Sequence, residues 1–231
     1  MEGADVSGHL KATLQLVMSR KPSLSGSTTL RTAIQEEHWA LARALLGCDV
    51  DPESRIANLN WPPLAYAVCA RREDVMIDML AAGARPSGKG GRFKGSGDAL
   101  RMATLTRQPA LITRLVAAGA EVERRDQRGR TALHDAARFD ADHCIEALLD
   151  GGADIDALDD AGCPPIFEAI CYGSCEAVRV LVRRGADLVQ NYGDWGNVRM
   201  YARNHDRSSW LPDIELRPAS PETQSLGRAR P

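Results

Sequence analysis

The sequence predicts an all-α solenoid, in which helix-turn-helix units stack side by side and are joined by short β-turn or hairpin-like fingers. Two register marks predict it. Small-residue stops follow Leu-rich stretches with glycines spaced 36, 36, 33 and 33 residues apart, and helix openings centred on an aliphatic residue recur at steps of 36, 33 and 33. The stops are Gly47, Gly83, Gly119, Gly152 and Gly185, and the openings are Leu64, Leu100, Leu133 and Ile166.

The composition excludes several other classes of protein. The 231 residues are 44% hydrophobic and 26% charged, which is average for globular proteins and argues against collagenous, coiled-coil and wholly disordered chains. A net charge of −2 argues against a general nucleic-acid binder. No apolar run is long enough to span a membrane, and the N-terminus lacks the pattern of a Sec-type signal.

The cysteines bear on the compartment in which the protein works. All six are scattered, and none forms a CxxC pair. This usage suits a reducing compartment better than a disulfide framework, so we expect a cytoplasmic protein. Delivery into a host cell by a route other than Sec remains an open alternative.

The register marks divide the chain into three parts. Residues 1–24 are predicted to hold a capping helix and a linker, because Leu10 and Leu14 share a helical stripe with Val17 and Met18. Residues 25–205 are predicted to form the repeat domain, with about five units and a C-terminal half unit. Residues 206–231 are rich in Pro and Ser and are predicted to be a disordered tail, although Trp210–Ile214 could pack back or serve as a linear motif.

Single residues justify the elements within a unit. Thr131 is placed to cap a first helix, and Pro63 and Pro165 suit a first helical position, where the missing N–H would be unpaired anyway. Gly119, Gly152 and Gly185 end second helices, where a left-handed residue is needed, and Gly129 and Gly162 lie in the next tight turn for the same reason. One helix pair cannot bury both of its apolar faces alone, so neighbouring units must stack.

The clearest unit runs from Asp126 to Asp156 and opens with Thr131-Ala-Leu-His-Asp-Ala136. It closely resembles the ankyrin repeat, whose opening is T-P-L-H-x-A, and the unit at 159–187 resembles it almost as well. The resemblance implies that His134 hydrogen-bonds between neighbouring turns. It also implies that the turn tips and first helices together line a concave face that recognises another protein.

No catalytic constellation, cofactor or metal site is predicted. The loop from Gly83 to Gly90 nearly matches a phosphate-binding loop, but Gly90 replaces the hydroxyl residue that would hold magnesium. Cys171 and Cys175 are expected to lie on either side of a helix-helix turn, which argues against a zinc site. A nucleotide- or zinc-binding protein is therefore the least favoured reading, and the protein is expected not to be an enzyme.

The family's variable contact positions give the candidate residues for partner binding. Several are aromatic residues and arginines, the types that carry most interface hot spots. The full set is Trp61, Lys89, Arg92, Phe93, Lys94, Gln127, Arg128, Arg130, Arg138, Phe139, Asp160, Tyr172 and Trp195.

The charge is unevenly distributed along this face. Residues 85–130 hold 11 Lys and Arg but 4 Asp and Glu, whereas residues 135–168 hold one Arg and 10 Asp and Glu. The pattern suits a partner protein with both acidic and basic patches. We therefore expect a non-enzymatic interaction module (adaptor, inhibitor or scaffold), monomeric when free, that binds neither nucleic acid nor membrane. The alternative is an effector or regulatory subunit that acts through its tail or by recruiting an enzyme.

Overall fold

A computed structural model describes residues 30, 32–34, 37–47, 62–87 and 98–211, and every regular element in these ranges is helical. Residue 30 and residues 32–34 are helical and precede the first complete helix. The helices are α1 (Trp39–Leu46), α2 (Pro63–Cys69), α3 (Glu73–Ala81), α4 (Ala99–Leu105), α5 (Pro109–Ala117), α6 (Ala132–Arg138), α7 (Asp142–Asp150), α8 (Pro165–Tyr172), α9 (Cys175–Arg184) and α10 (Val198–Asn204).

The helices form pairs, and the pairs stack in two layers. The first helices of successive units, α2, α4, α6, α8 and α10, pack each on the next, while the second helices α5, α7 and α9 pack in a parallel row. A continuous apolar core runs between the layers, with Leu100, Leu133 and Ile166 at one shared register position. The predicted all-α solenoid is therefore confirmed.

Glycines end the second helices as the sequence predicts. Gly83, Gly119, Gly152 and Gly185 all have φ between +89° and +97°, the left-handed region that residues with a Cβ avoid. Gly47 differs, because it caps α1 with φ of −71°. The left-handed turn is thus a feature of the later units.

A second left-handed position lies between the two helices of each unit, and the sequence analysis did not anticipate it. Arg71, Arg107 and Asp140 have φ of +55°, +56° and +53°, and Gly173 occupies the same place in the next unit with φ of +83°. The two arginines also reach forward to the following unit. Arg71 donates to the carbonyl oxygen of Thr106 over 2.9 Å, and Arg107 donates to that of Phe139.

The C-terminal half unit closes the described stack. Asn197 caps α10 by accepting a hydrogen bond from the backbone N–H of Met200 over 3.0 Å, and Val198 and Ala202 of α10 are buried. The chain continues into a 3-10 turn, Ser208–Trp210, which packs on α9 and α10, and Leu211 is buried. Residues 206–211 belong to the tail that is predicted to be disordered, but Ser208–Trp210 and Leu211 pack against the helices, as the alternative for the segment from Trp210 allowed.

Candidate functional site

The face lined by first helices is built from equivalent residues of successive units. Arg101, His134 and Phe167 stand at one register position, 33 residues apart, and each points across the junction to the next unit. Arg101 donates to the carbonyl oxygen of Arg130 over 3.2 Å. Nε2 of His134 lies 3.1 Å from the carbonyl oxygen of Cys163, the residue that stands in the next finger where Arg130 stands in its own. Arg101 therefore makes the bond that histidine makes one unit later.

His134 also completes the cap of α6. Its Nδ1 accepts a hydrogen bond from the backbone N–H of Thr131 over 3.1 Å and lies 3.0 Å from the Thr131 hydroxyl. Because Nδ1 accepts, Nε2 carries the proton and donates to the carbonyl oxygen of Cys163. Burial lowers the pKa of His134, which keeps the ring neutral. This geometry confirms the structural role that the family resemblance implied for His134.

The junction made by Arg101 is ionic and largely buried. Its guanidinium pairs with Asp126 over 2.8 Å and with Asp135, and the side chains of Arg101 and Asp135 are only 8% and 5% exposed. Asp126 also accepts hydrogen bonds from the backbone N–H groups of Arg128 and Arg130. These bonds, with the cations of Arg101 and Arg130, lower the pKa of Asp126 against the opposing effect of burial.

The fingers are linked by direct contacts. The backbone N–H of Asp160 donates to the carbonyl oxygen of Arg128 over 3.0 Å. One unit later the same bond is made by a side chain, because Trp195 Nε1 donates to the carbonyl oxygen of Ala161 over 3.0 Å. Gly129 has φ of +72°, and a Cβ there would lie 2.7 Å from the backbone nitrogen of Asp160. A residue without a side chain is thus needed where the fingers meet.

Three of the predicted contact residues come together at the ends of α6 and α8. The Arg138 guanidinium lies 4.1 Å from the centre of the Tyr172 ring and 5.5 Å from that of Phe139. Phe139 and Tyr172 are 47% and 53% exposed, and Leu105, the last residue of α4, is 40% exposed. The result is an exposed apolar ridge with a stacked arginine, which we call the aromatic ridge (Leu105, Arg138, Phe139, Tyr172).

The other predicted contact residues have different settings. Gln127, Arg128 and Asp160 are exposed at the fingers. Arg130 is partly buried and pairs with Asp126 over 3.0 Å, so its guanidinium is engaged within the chain. Trp195 is bound to a carbonyl, yet its ring stays 43% exposed. Trp61, Lys89, Arg92, Phe93 and Lys94 lie outside the described residues.

Arg101 and Glu168 also lie on this face, and the sequence pattern did not predict a role for either. Arg101 could have been found by register, because it stands where His134 stands in the next unit. Glu168 stands where Asp135 does, but only the packing of α8 shows that its Oε2 is buried and receives no hydrogen bond from the described residues. Burial raises the pKa of Glu168, an effect that Arg130 and Arg138 oppose.

The described residues were also searched for other kinds of site. They contain no group of three or more His, Cys, Asp or Glu side chains arranged to hold a metal ion. Cys171 lies in α8 and Cys175 opens α9, so the turn separates them as expected. In the same ranges, no helix has the length and apolar content needed to cross a membrane.

Part of the chain matches a known protein family. Residues 100–192 match the family model for ankyrin repeats, in three copies. No curated protein matches the chain. Ankyrin repeats generally mediate protein-protein interactions, and the family is typically non-enzymatic. The matched residues cover the units that open with Arg101, His134 and Phe167, and the helical pairs continue on both sides of them. Residues 100–192 are therefore ankyrin repeats.

Proposed function

We propose that this chain is a non-enzymatic interaction module that binds a partner protein on the face formed by the first helices and the fingers. The aromatic ridge is the observation that carries the proposal. Three large side chains at the ends of successive first helices stay 40% to 53% exposed, although the chain buries apolar side chains of similar size elsewhere. Exposed apolar surface of this kind is typical of interaction sites.

The arrangement of Arg138 supports the same reading. Its stacking on Tyr172 at 4.1 Å orders two long side chains in a position where both touch solvent. Ordered aromatic and arginine side chains bind partners at a low cost in conformational entropy, and they carry much of the energy of known interfaces. The ridge therefore has the residue types of an interface hot spot, and they are already ordered in the free protein.

The fingers extend this surface on the other side of the first helices. Arg128 and Asp160 are exposed on neighbouring fingers whose backbones are hydrogen-bonded to each other. A bonded pair of fingers holds opposite charges at a fixed spacing. This fixed spacing would orient the partner more than it would raise the affinity, because exposed charges contribute more to steering than to net binding.

The test is capture of partner proteins from a lysate by the full chain, with identification by mass spectrometry. The variant carries Phe139→Ser and Tyr172→Ser, and the control carries Ile77→Ser, which removes a similarly exposed apolar residue from α3 in the second-helix layer. We expect the double variant to lose at least about tenfold in captured partner, since each lost anchor is worth about 2 kcal/mol. The control should retain capture. Equal capture by all three proteins would refute the proposal.

A further inference from the structure

The arginines of the second-helix layer are neutralised by carboxylates of neighbouring units. Arg114 of α5 pairs with Glu73 of α3 over 2.9 Å. Arg184 of α9 pairs with Asp150 of α7 over 2.7 Å. The chain thus supplies counter-charges for cations on this layer, and a partner would have to displace them to reach the guanidinium groups.

Four arginines at or just after the C-terminal ends of first helices are held without a carboxylate. In the described ranges, no Asp or Glu oxygen lies within 4.0 Å of their nitrogens, and they contact carbonyl oxygens or aromatic rings instead. Each guanidinium therefore keeps its charge and most of its N–H groups for another acceptor. We call this set the arginine row, and its members are Arg71, Arg107, Arg138 and Arg207.

Direct contacts join the arginine row to the aromatic ridge. Arg107 donates a hydrogen bond to the carbonyl oxygen of Phe139, and the guanidinium of Arg138 lies 4.1 Å from the centre of the Tyr172 ring. Arg207 donates over 2.8 Å to the carbonyl oxygen of the residue before Tyr172. Cations and exposed apolar side chains therefore form one surface at this edge of the first-helix layer.

Arg138 shows how this surface could receive an anion. The Tyr172 ring covers a face of its guanidinium, whereas the N–H groups of a guanidinium lie in its plane, so stacking leaves them able to donate. Of its nitrogens only Nε is buried without an acceptor, and Nη1 and Nη2 are open to solvent. Glu168, whose pKa Arg138 lowers against the effect of burial, lies beyond ion-pair distance.

The carboxylates in the same turns do not cancel the charge of the arginine row. Asp140 is engaged within the chain, because it accepts a hydrogen bond from the backbone N–H of Ala177 over 2.8 Å. Asp206 is exposed and is the other acidic residue at this turn position. Two carboxylates stand against four guanidinium groups, so an acidic ligand would meet a net positive field here.

We propose that the arginine row and the aromatic ridge together bind an acidic, apolar segment of the partner protein. Its carboxylates accept hydrogen bonds from the arginine row, and its large apolar side chains pack on Phe139 and Tyr172. Stacked helices lie roughly 10 Å apart and an extended chain advances about 3.3 Å per residue, so acidic residues about three positions apart match consecutive units. This inference rests on the proposed function and adds the chemistry of the partner.

The test is a positional-scanning library of synthetic 12-residue peptides, rich in apolar residues and probed with the full chain. We expect at least one position to prefer Glu over Gln by about tenfold, the size of a charge-assisted hydrogen bond. The double variant Arg107→Gln, Arg138→Gln should abolish this preference. Arg138→Lys keeps the charge but not the planar group, and it should retain only part of the preference.

A matched control separates this surface from the net charge of the protein. Arg179→Gln with Arg183→Gln also removes two guanidinium groups, but from α9 in the second-helix layer, where both are paired with glutamates. The control should keep the preference for Glu, and circular dichroism should show the same helical content in all variants. A single-stranded (dT)12 oligonucleotide is the second probe, because arginines and aromatic rings also bind nucleic acid. We expect it to bind more weakly than the acidic peptides, since residues 135–168 hold 10 Asp and Glu that repel a phosphate backbone.

Three results would overturn the inference: no position that prefers Glu, a preference that survives in the double Arg→Gln variant, or tighter binding of (dT)12 that this variant loses. The proposed function is judged by separate results. Peptides that bind without a Glu preference, but lose binding when Phe139 and Tyr172 are both changed to Ser, would leave the interaction face in place and remove only the acidic character of the partner. Failure of the proposed function shows as capture that is indifferent to those two side chains.

Discussion

Two neighbouring junctions of this solenoid solve the same packing problem with different chemistry. Between the units that open with α4 and α6, the cap and the inward-pointing residue are Asp98 and Arg101, both buried and both ionisable. Between the units of α6 and α8, the equivalent pair is Thr131 and His134, which are equally buried but neutral. In each pair the second residue, Arg101 or His134, hydrogen-bonds to a finger carbonyl 29 residues further along.

The difference teaches how the ankyrin pattern tolerates change. At the histidine position of the preceding unit, arginine replaces histidine as the donor to the next finger and reaches it with a longer side chain. The longer side chain brings a charge into the core, and Asp126 and Asp135 neutralise it there. At the third junction the equivalent residue is Phe167, whose side chain has no hydrogen-bond donor and stacks on Tyr201 instead. The solenoid thus passes from an ionic to a neutral to an aromatic junction.

The largest expected effect comes from breaking the ionic junction. Arg101→Met would leave Asp126 short of one cation and Asp135 buried without its partner, so the free energy of unfolding should fall by about 3–5 kcal/mol. Urea denaturation followed by circular dichroism measures this. Arg179→Met is the control, because that side chain is 62% exposed and its pair with Glu176 is worth about 0.5 kcal/mol.

A second substitution tests whether the unpaired carboxylate of Asp135 causes the loss of stability in Arg101→Met. Adding Asp135→Asn to Arg101→Met should recover at least about 1 kcal/mol, because the two residues are in direct contact and their effects do not add. If Arg101→Met costs no more than Arg179→Met, the ionic junction contributes nothing to stability and the contrast between the two junctions disappears.

A smaller effect is expected where the fingers meet. Gly129→Ala adds a Cβ at φ of +72° and 2.7 Å from the Asp160 backbone nitrogen, whereas Gly162→Ala adds one at φ of +76° with nothing within 4 Å. We expect losses of about 2–3 kcal/mol for the first and about 1 kcal/mol for the second, since only the first combines backbone strain with a clash. Equal melting curves for the two variants would contradict a tight contact between these fingers.

The smallest effects are in the pH dependence, and they have opposite signs at the two junctions. Burial raises the pKa of Asp98 from 3.8 to about 6, so the folded protein gains stability as the pH falls through 6 towards 3.8. Asp98→Asn keeps a capping side chain and removes the buried charge. It should stabilise the protein by about 1 kcal/mol at pH 7 and lose this advantage near pH 4.

The neutral junction should respond in the other direction. Burial lowers the pKa of His134 below 6.5, so the unfolded chain takes up a proton first and stability falls as the pH drops below 6.5. His134→Gln should cost about 1 kcal/mol at pH 7 through lost hydrogen bonds, and less at pH 5. Unfolding free energies of each variant, compared with the parent chain at pH 7, 5 and 4, test both signs. A constant difference across this range would contradict the assignment.

The sequence predicted the repeating unit well because its signals are local. The left-handed glycines after α3, α5, α7 and α9, the Thr131 cap and the opening around His134 depend on a few neighbouring residues, and the structure reproduces them. The sequence did not predict the left-handed turn between the two helices of a unit, because two of the residues that occupy it, Arg71 and Arg107, carry no turn signal, and Asp140 alone is of a type that favours this conformation. Contacts with the following unit hold them there, and those contacts join residues over 30 positions apart.

The residues of the candidate site also fall into two groups: those that the sequence could identify and those whose role depends on packing between units. The contact positions that the family resemblance implies, carried along the register of the units, selected Arg138, Phe139 and Tyr172. The register could not separate Arg130, which pairs with Asp126, from Arg128, whose side chain is exposed, since both occupy one finger. Nor could it show that Glu168 lacks the cation that Asp135 has, because this depends on the residue that the preceding helix supplies at one position.

By itself, the sequence determined the period and the helical class of this protein, because backbone preferences and apolar spacing act within a single unit. Only the tertiary structure decided which charges are engaged and which are available. A side chain's partner at a junction belongs to the next unit, and whether Arg101, Arg130 or Glu168 finds a counter-charge depends on how two units stack. The local pattern determines that neighbouring units stack, and the residues that meet when two units stack determine the chemistry of their junction.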